Sequence, residues 1–171
     1  ILVNRRTVLT NVFDGPVTHK PTVAMAMPVF VHDAATYSLA AGISPPKLSA
    51  LLAAQNVPEG WIIAVLDASG VIAARSRDAD RFVGQAATPS LREAVASRSE
   101  GALSAMTKDG IPALTAFTRF NQWGWTAAVG APRSALQAAQ SDALLRLVLG
   151  ISAAVLLGLA VSGSALAADN C

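Results

Sequence analysis

Runs of apolar residues, broken by short polar or glycine-rich segments, divide the chain into strands, two short helices and a long apolar tail. Thr22 to Phe30 (TVAMAMPVF) and Tyr37 to Ile43 are strand-forming runs joined across His32-Asp33-Ala34, a pattern that predicts an antiparallel hairpin. Ser44 as N-cap, followed by Pro45 and Pro46, opens a helix with Leu48, Leu51 and Leu52 on one face, ended by Pro58-Glu59-Gly60. Trp61 to Leu66 and Val71 to Arg75 flank Asp67-Ala68-Ser69-Gly70. The Asp67 carboxylate can bond backbone amides of that turn and Gly70 can supply a positive φ, so a second hairpin is predicted.

Phe82-Val83-Gly84 marks a short connection, and Ser90 to Ser97 reads as a helix following Pro89. Ala102 to Thr107 pairs across Lys108-Asp109-Gly110 with Ile111 to Phe120. Asn121-Gln122-Trp123-Gly124 leads to a last strand from Trp125 to Gly130, closed by Pro132. From Arg133 the pattern is helical through Leu136 and Leu144. About five strands between Trp61 and Gly130, with helices on one face, predict a small antiparallel sheet in an α+β domain.

From Leu147 to Ala168 the chain reads LVLGISAAVLLGLAVSGSALAA, 22 residues without a charge. At about 1.5 Å per residue such a helix covers a hydrocarbon core of about 30 Å. A buried core helix is usually shorter and amphipathic, and a signal peptide, although mimicked by Arg146 and the closing SALA, belongs at the other end of a chain. A membrane-spanning helix is therefore predicted, with the lipid bilayer as a partner. Gly150, Gly158 and Gly163 offer small surfaces for a second helix, which fits a homodimer.

The run also explains the composition: 53% apolar, 14% charged, net charge +2. Lys and Arg are scattered rather than clustered, which argues against nucleic-acid binding. Cys171 is the single cysteine, so the fold rests on packing without an internal disulfide. Ile1 is not Met, and the chain stops three residues beyond the apolar run, so both ends read as cut from a longer protein. Arg133 and Arg146 before the apolar run would, by the positive-inside rule alone, place the preceding part in the cytoplasm.

Four segments in order, GWIIAVLDASGVIAARS (Gly60 to Ser76), FVGQ (Phe82 to Gln85), the turn at Asp109 and Gly110, and GWTAAVGAP (Gly124 to Pro132), resemble the membrane-proximal half of a double Cache sensor domain. These are PAS-like extracytoplasmic modules of bacterial receptors. The resemblance implies that residues 1–43 are the remnant of a membrane-distal module, 44–59 a linking helix and 60–132 the proximal module. Residues 133–146 are then a juxtamembrane helix and 147–168 the membrane span. It further implies a soluble part outside the inner membrane, contrary to the arginine count, and a missing cytoplasmic output, with a histidine kinase favoured over a diguanylate cyclase or chemotaxis domain.

Chemistry within the chain is sparse. His19 and His32 lack the HExxH spacing of a helix-borne metal site, and no GxSxG elbow, phosphate loop or Cys/His cluster occurs. Asp78 and Asp80 alternate with Arg75, Arg77 and Arg81 as a solvated loop does. No enzyme activity, cofactor or metal is expected of this part. For an unknown small-molecule ligand the candidates are Tyr37, Arg75 and Trp125. The Arg75 fork could clamp a carboxylate or form a structural salt bridge. Trp125 could belong to an aromatic wall or to the core. Tyr37 falls in the distal remnant, where the resemblance places ligands. Two functions remain open at this point: a receptor's sensory part, or a membrane-anchored binding or assembly module without output.

Overall fold

The computed structural model describes residues 6–16, 19–119 and 122–137. Within residues 6–132 the chain forms two antiparallel sheets. The first sheet is built around the long hairpin predicted from its apolar runs, β3 (Pro21–Val31) and β4 (Ala34–Ile43). His32 and Asp33 make the turn with φ of 48° and 62°, the left-handed conformation a tight two-residue hairpin requires. Two strands of two residues each, β1 (Val8–Leu9) and β2 (Phe13–Asp14), pair along the other edge of β3.

Ser44 and the two prolines start α1 (Pro45–Ala53) as predicted, although the Ser44 side chain makes no capping bond. The buried face differs from expectation. Pro45 and Ser49, one turn apart, are buried, whereas Leu51 is 63% exposed. Small residues there let α1 lie close against the open edge of β6 (Ile72–Arg75), where Ser49 Oγ accepts the Arg75 amide at 3.1 Å. That bond occupies an edge donor which a bare strand would leave to solvent.

The second sheet has the order β6-β5-β9-β8-β7, with β5 (Ile62–Leu66), β7 (Glu100–Met106), β8 (Pro112–Arg119) and β9 (Thr126–Pro132). All neighbours are antiparallel, and the five strands match the number expected. The Asp67 turn forms as predicted. Its Oδ1 accepts the Ser69 amide, the Ser69 hydroxyl and the Val71 amide, and Gly70 has φ of 79°. Between β6 and β7 lie α3 (Pro89–Ser97) and a four-residue helix, α2 (Ala79–Phe82), where a plain loop was expected.

Period-two alternation sorts the sheet into two faces. Leu66, Ile72, Phe117 and Ala128 point toward the helices and form the core with Phe82, Ala87 and Ala94. On the opposite face Val65, Ala73 and Trp125 pack with Val23 of the first sheet. The first sheet is also tied on by a hydrogen bond, from the Val12 amide to Asp67 Oδ2 at 2.9 Å.

Beyond β9, residues 133–137 are helical and form part of a second compact unit. Among the described residues no helix is long and apolar enough to cross a membrane. The predicted span at 147–168 lies outside the described residues.

Candidate functional site

The concave side of the second sheet and α3 line a half-open cavity of about 70 Å³. Its floor consists of side chains at alternate positions on three central strands, among them Ile62, Leu66, Thr115 and Ala128. Alternation is the reason they converge: residues two apart on a strand share a face. Small residues there, Ala64, Ala105, Ala128 and Gly130, leave the space unfilled. Thr88 and Leu91 close it from the helix side.

One end of the cavity is charged. Arg75, at the end of β6 and with its side chain 4% exposed, forms a two-armed ion pair with Asp109 in the β7–β8 turn. Its Nη1 also donates to the Arg77 carbonyl at 2.9 Å. The guanidinium stacks over the Phe82 ring at 4.4 Å, where Arg81 (4.9 Å) and Lys108 (5.9 Å) also gather. Such stacking favours a desolvated cation. β6 and β7 are the two edges of the sheet, so this pair bridges them and requires the sheet to curl around the cavity.

Lys108, next to Asp109, has neutral partners: Nζ donates to Gln85 Oε1 and the Ala86 carbonyl, both at 2.9 Å. Arg75 and Lys108 both line the cavity; among the described residues no carboxylate does. The chemistry of the space is therefore a short apolar trough ending in positive charge and threonine hydroxyls.

The three candidate residues from the sequence do not meet in one place. Arg75 reaches the cavity, in the salt-bridged form that was one of its two readings. Trp125 is 5% exposed and packs with Val23 and Ala73 on the opposite face, and among the described residues its Nε1–H meets no acceptor. Tyr37 stands on β4, 63% exposed. Asp78 and Asp80, taken for a solvated loop, are exposed as expected but flank the start of α2. Lys108 and Asp109 were legible only as turn residues. Nothing local in a Lys-Asp-Gly turn signals that its carboxylate meets an arginine 34 positions away.

A second concavity of about 530 Å³ lies between β3, β4, α1 and α2. Its charged groups, Lys20 and Asp80, are solvent-exposed, and its buried hydroxyl, Ser49, already accepts the Arg75 amide. The cavity under α3, with the buried Arg75 in its lining, is therefore the better-built site.

No family model matches the chain, and no curated protein matches it. Solved structures do. The extracellular domain of mmHK1S-Z3, a proposed histidine kinase, superposes with a TM-score of 0.67 at 13% identity, over 82% of this chain and 54% of that one. The periplasmic sensory domain of the Campylobacter jejuni chemoreceptor Tlp1 gives 0.61 at 14% identity, over 75% and 50%. The ligand-binding domain of the Pseudomonas fluorescens chemoreceptor CtaA, in complex with L-leucine, gives 0.53 at 16% identity, over 75% and 54%. The chain spans about half the length of these structures. Its fold is that of the extracellular and periplasmic Cache-like sensory domains of histidine kinases and chemoreceptors.

Proposed function

We propose that the chain is the signal-sensing part of a transmembrane receptor, lying outside the inner membrane and passing ligand state through a C-terminal membrane helix to a cytoplasmic output. One observation carries this reading. The sensory fold ends on β9, a central strand of the sheet that walls the cavity, and the chain turns helical at residues 133–137. The 22-residue apolar run follows ten residues later in the sequence. A change in the curl of the sheet would thus act on the strand that feeds the membrane helix.

Among outputs, a histidine kinase is favoured, because two-component sensors and chemoreceptors are what the fold's neighbours serve. Among the described residues no group of three or more His, Cys, Asp or Glu is placed to hold a metal, and this reading assigns any enzyme activity to the output. Two copies associating through Gly150, Gly158 and Gly163 would supply the dimer that such transmission needs.

Transmission requires helical continuity, because a flexible break dissipates a piston or rotation. Inserting Gly-Gly after Gln140 in the full-length receptor is expected to abolish ligand-dependent output while leaving ligand affinity unchanged. Unchanged coupling, measured as output activity with and without ligand, would sink the transmission reading. A membrane anchor without output would show no ligand-dependent activity before the insertion either.

A further inference from the structure

We infer that two copies of this chain pair through β4, edge to edge and antiparallel about a two-fold axis at Ala40, so that the first sheet runs continuously across both.

The molecule treats its strand edges unequally. The outer edge of β6 is occupied: Ser49 Oγ accepts the Arg75 amide, the Ile72 amide donates to the Gln85 carbonyl and the Gly84 amide to the Ile72 carbonyl, both at 2.9 Å. The far edge of β3 carries β1 and β2. β7 starts on Glu100, a charge that discourages a further strand, and packs with α3. β4 has none of this. Among the described residues it pairs with β3 alone, and from Ala34 to Ile43 it contains no charge and no proline. Residues 36–42 are exposed, and a Cβ added at Gly42 would meet nothing within 4 Å. An unprotected edge of this kind presents a row of backbone donors and acceptors that only another strand satisfies in full.

The sequence of β4 selects a second copy as that strand. A register shift near the hairpin tip sets Thr36 apart, which leaves Tyr37 to Ile43 in regular pairing. The middle of that segment is Ala40. A two-fold axis there sets Leu39 against Ala41 of the partner subunit, Ser38 against Gly42 of the partner subunit and Tyr37 against Ile43 of the partner subunit. Each larger side chain then meets a smaller one or an aliphatic one on the same face, and no like charges oppose each other. The contact also continues an apolar surface already in use. Val23 and Ile43, at the base of the hairpin, pack with Ala73 and Trp125 of the second sheet. Leu39 and Tyr37 extend the same face beyond the reach of that sheet. The proposed receptor homodimer brings a second copy close, which raises its effective concentration at the edge.

The test is disulfide trapping in the full 171-residue chain in detergent micelles, carrying Ala40→Cys together with Cys171→Ser. Residues directly opposed across antiparallel strands have Cβ atoms about 4.5–5.5 Å apart, close enough for a disulfide to form. Expected is rapid oxidation to a covalent dimer on a non-reducing gel. Ala96→Cys/Cys171→Ser, with its thiol on an exposed position of α3, should cross-link only slowly by collision. Hydrogen exchange on the Cys171→Ser chain should show β4 amide protection that falls on dilution. Ala40→Lys sets two like charges against each other and should weaken that association about fivefold. Circular dichroism establishes that each variant is folded. Equal cross-linking rates at positions 40 and 96 would overturn the interface. So would undiminished protection in folded Ala40→Lys, or protection independent of concentration, which would mean that a segment of the same chain covers the edge. None of these readouts involves an output domain, so their failure removes the β4 contact and leaves transmission to be judged by the Gly-Gly insertion.

Discussion

Two carboxylates, Asp67 buried and Asp109 partly buried, hold this molecule together in different ways. Asp109 faces a cation, and removing it leaves Arg75, 4% exposed, without its counter-charge. Breaking a pair of this kind from one side costs about 3–5 kcal/mol, whereas replacing both members by apolar groups is often far cheaper. Asp109→Ala should therefore lower unfolding free energy by about 3 kcal/mol in urea denaturation, and Arg75→Met/Asp109→Leu should recover at least half of that loss. Equal loss in the double variant would mean that the pair contributes shape rather than charge balance. Asp67, 2% exposed, is instead satisfied by backbone amides and a hydroxyl. Asp67→Ala strands the amides of Val12, Ser69 and Val71 and should cost about 1–3 kcal/mol in the same assay. Of these two roles, that of Asp67 within its turn was legible, because an Asp before a glycine turn bonds local amides. The bond to Val12, 55 positions away, was not.

Elements were legible where the sequence carries a period or a cap. β3 and β4 follow from two apolar runs and a polar joint, and α1 and α3 from their leading prolines. α2 spans four residues, too few for a helical period to show, and β1 and β2 have two residues each, stabilised by pairing to β3 rather than by their own propensity. Leu51 misled for a related reason. Its helix docks through proline and serine against a strand edge, so close approach outweighs side-chain hydrophobicity in choosing the face. The cavity was illegible for the converse reason. It arises from alanines and a glycine, residues that signal nothing singly, brought to one face by strand register. The Asp67 turn offers a test at this scale. Gly70 has φ of 79°, and an added Cβ would sit 3.1 Å from Arg92 Cγ. The left-handed conformation alone costs about 1–2 kcal/mol for a residue with a Cβ. Gly70→Ala should lower stability by about that amount. Gly42→Ala, where nothing lies within 4 Å, should change it by less than about 0.5 kcal/mol. Thermal melts of the two variants side by side would show whether backbone strain, rather than loss of glycine as such, sets the difference.

At the scale of the whole molecule, the two sheets differ in how they treat their apolar residues. The second sheet buries its inner face under α3 and packs Val65, Ala73 and Trp125 beneath the first. The β3–β4 hairpin leaves one face open toward its tip. Val29 pairs with Tyr37 and Met27 with Leu39, so the four side chains project together. Their exposures are 39%, 63%, 47% and 61%. An open apolar patch on a hairpin is a site for dye binding and for self-association, because water contact there is unfavourable and nothing opposes contact with another apolar surface. The chain should therefore bind an apolar fluorescent dye such as ANS, and Tyr37→Lys/Leu39→Lys should lower that fluorescence severalfold. The double substitution removes little packing, so the melting temperature should hold within about 3 °C. Light scattering on the same samples should show less association in the variant. If dye binding persisted with both lysines present, the apolar surface in contact with solvent would lie elsewhere. A collapse in melting temperature would instead mean that Tyr37 and Leu39 are packed in solution, and that the hairpin tip belongs to the core.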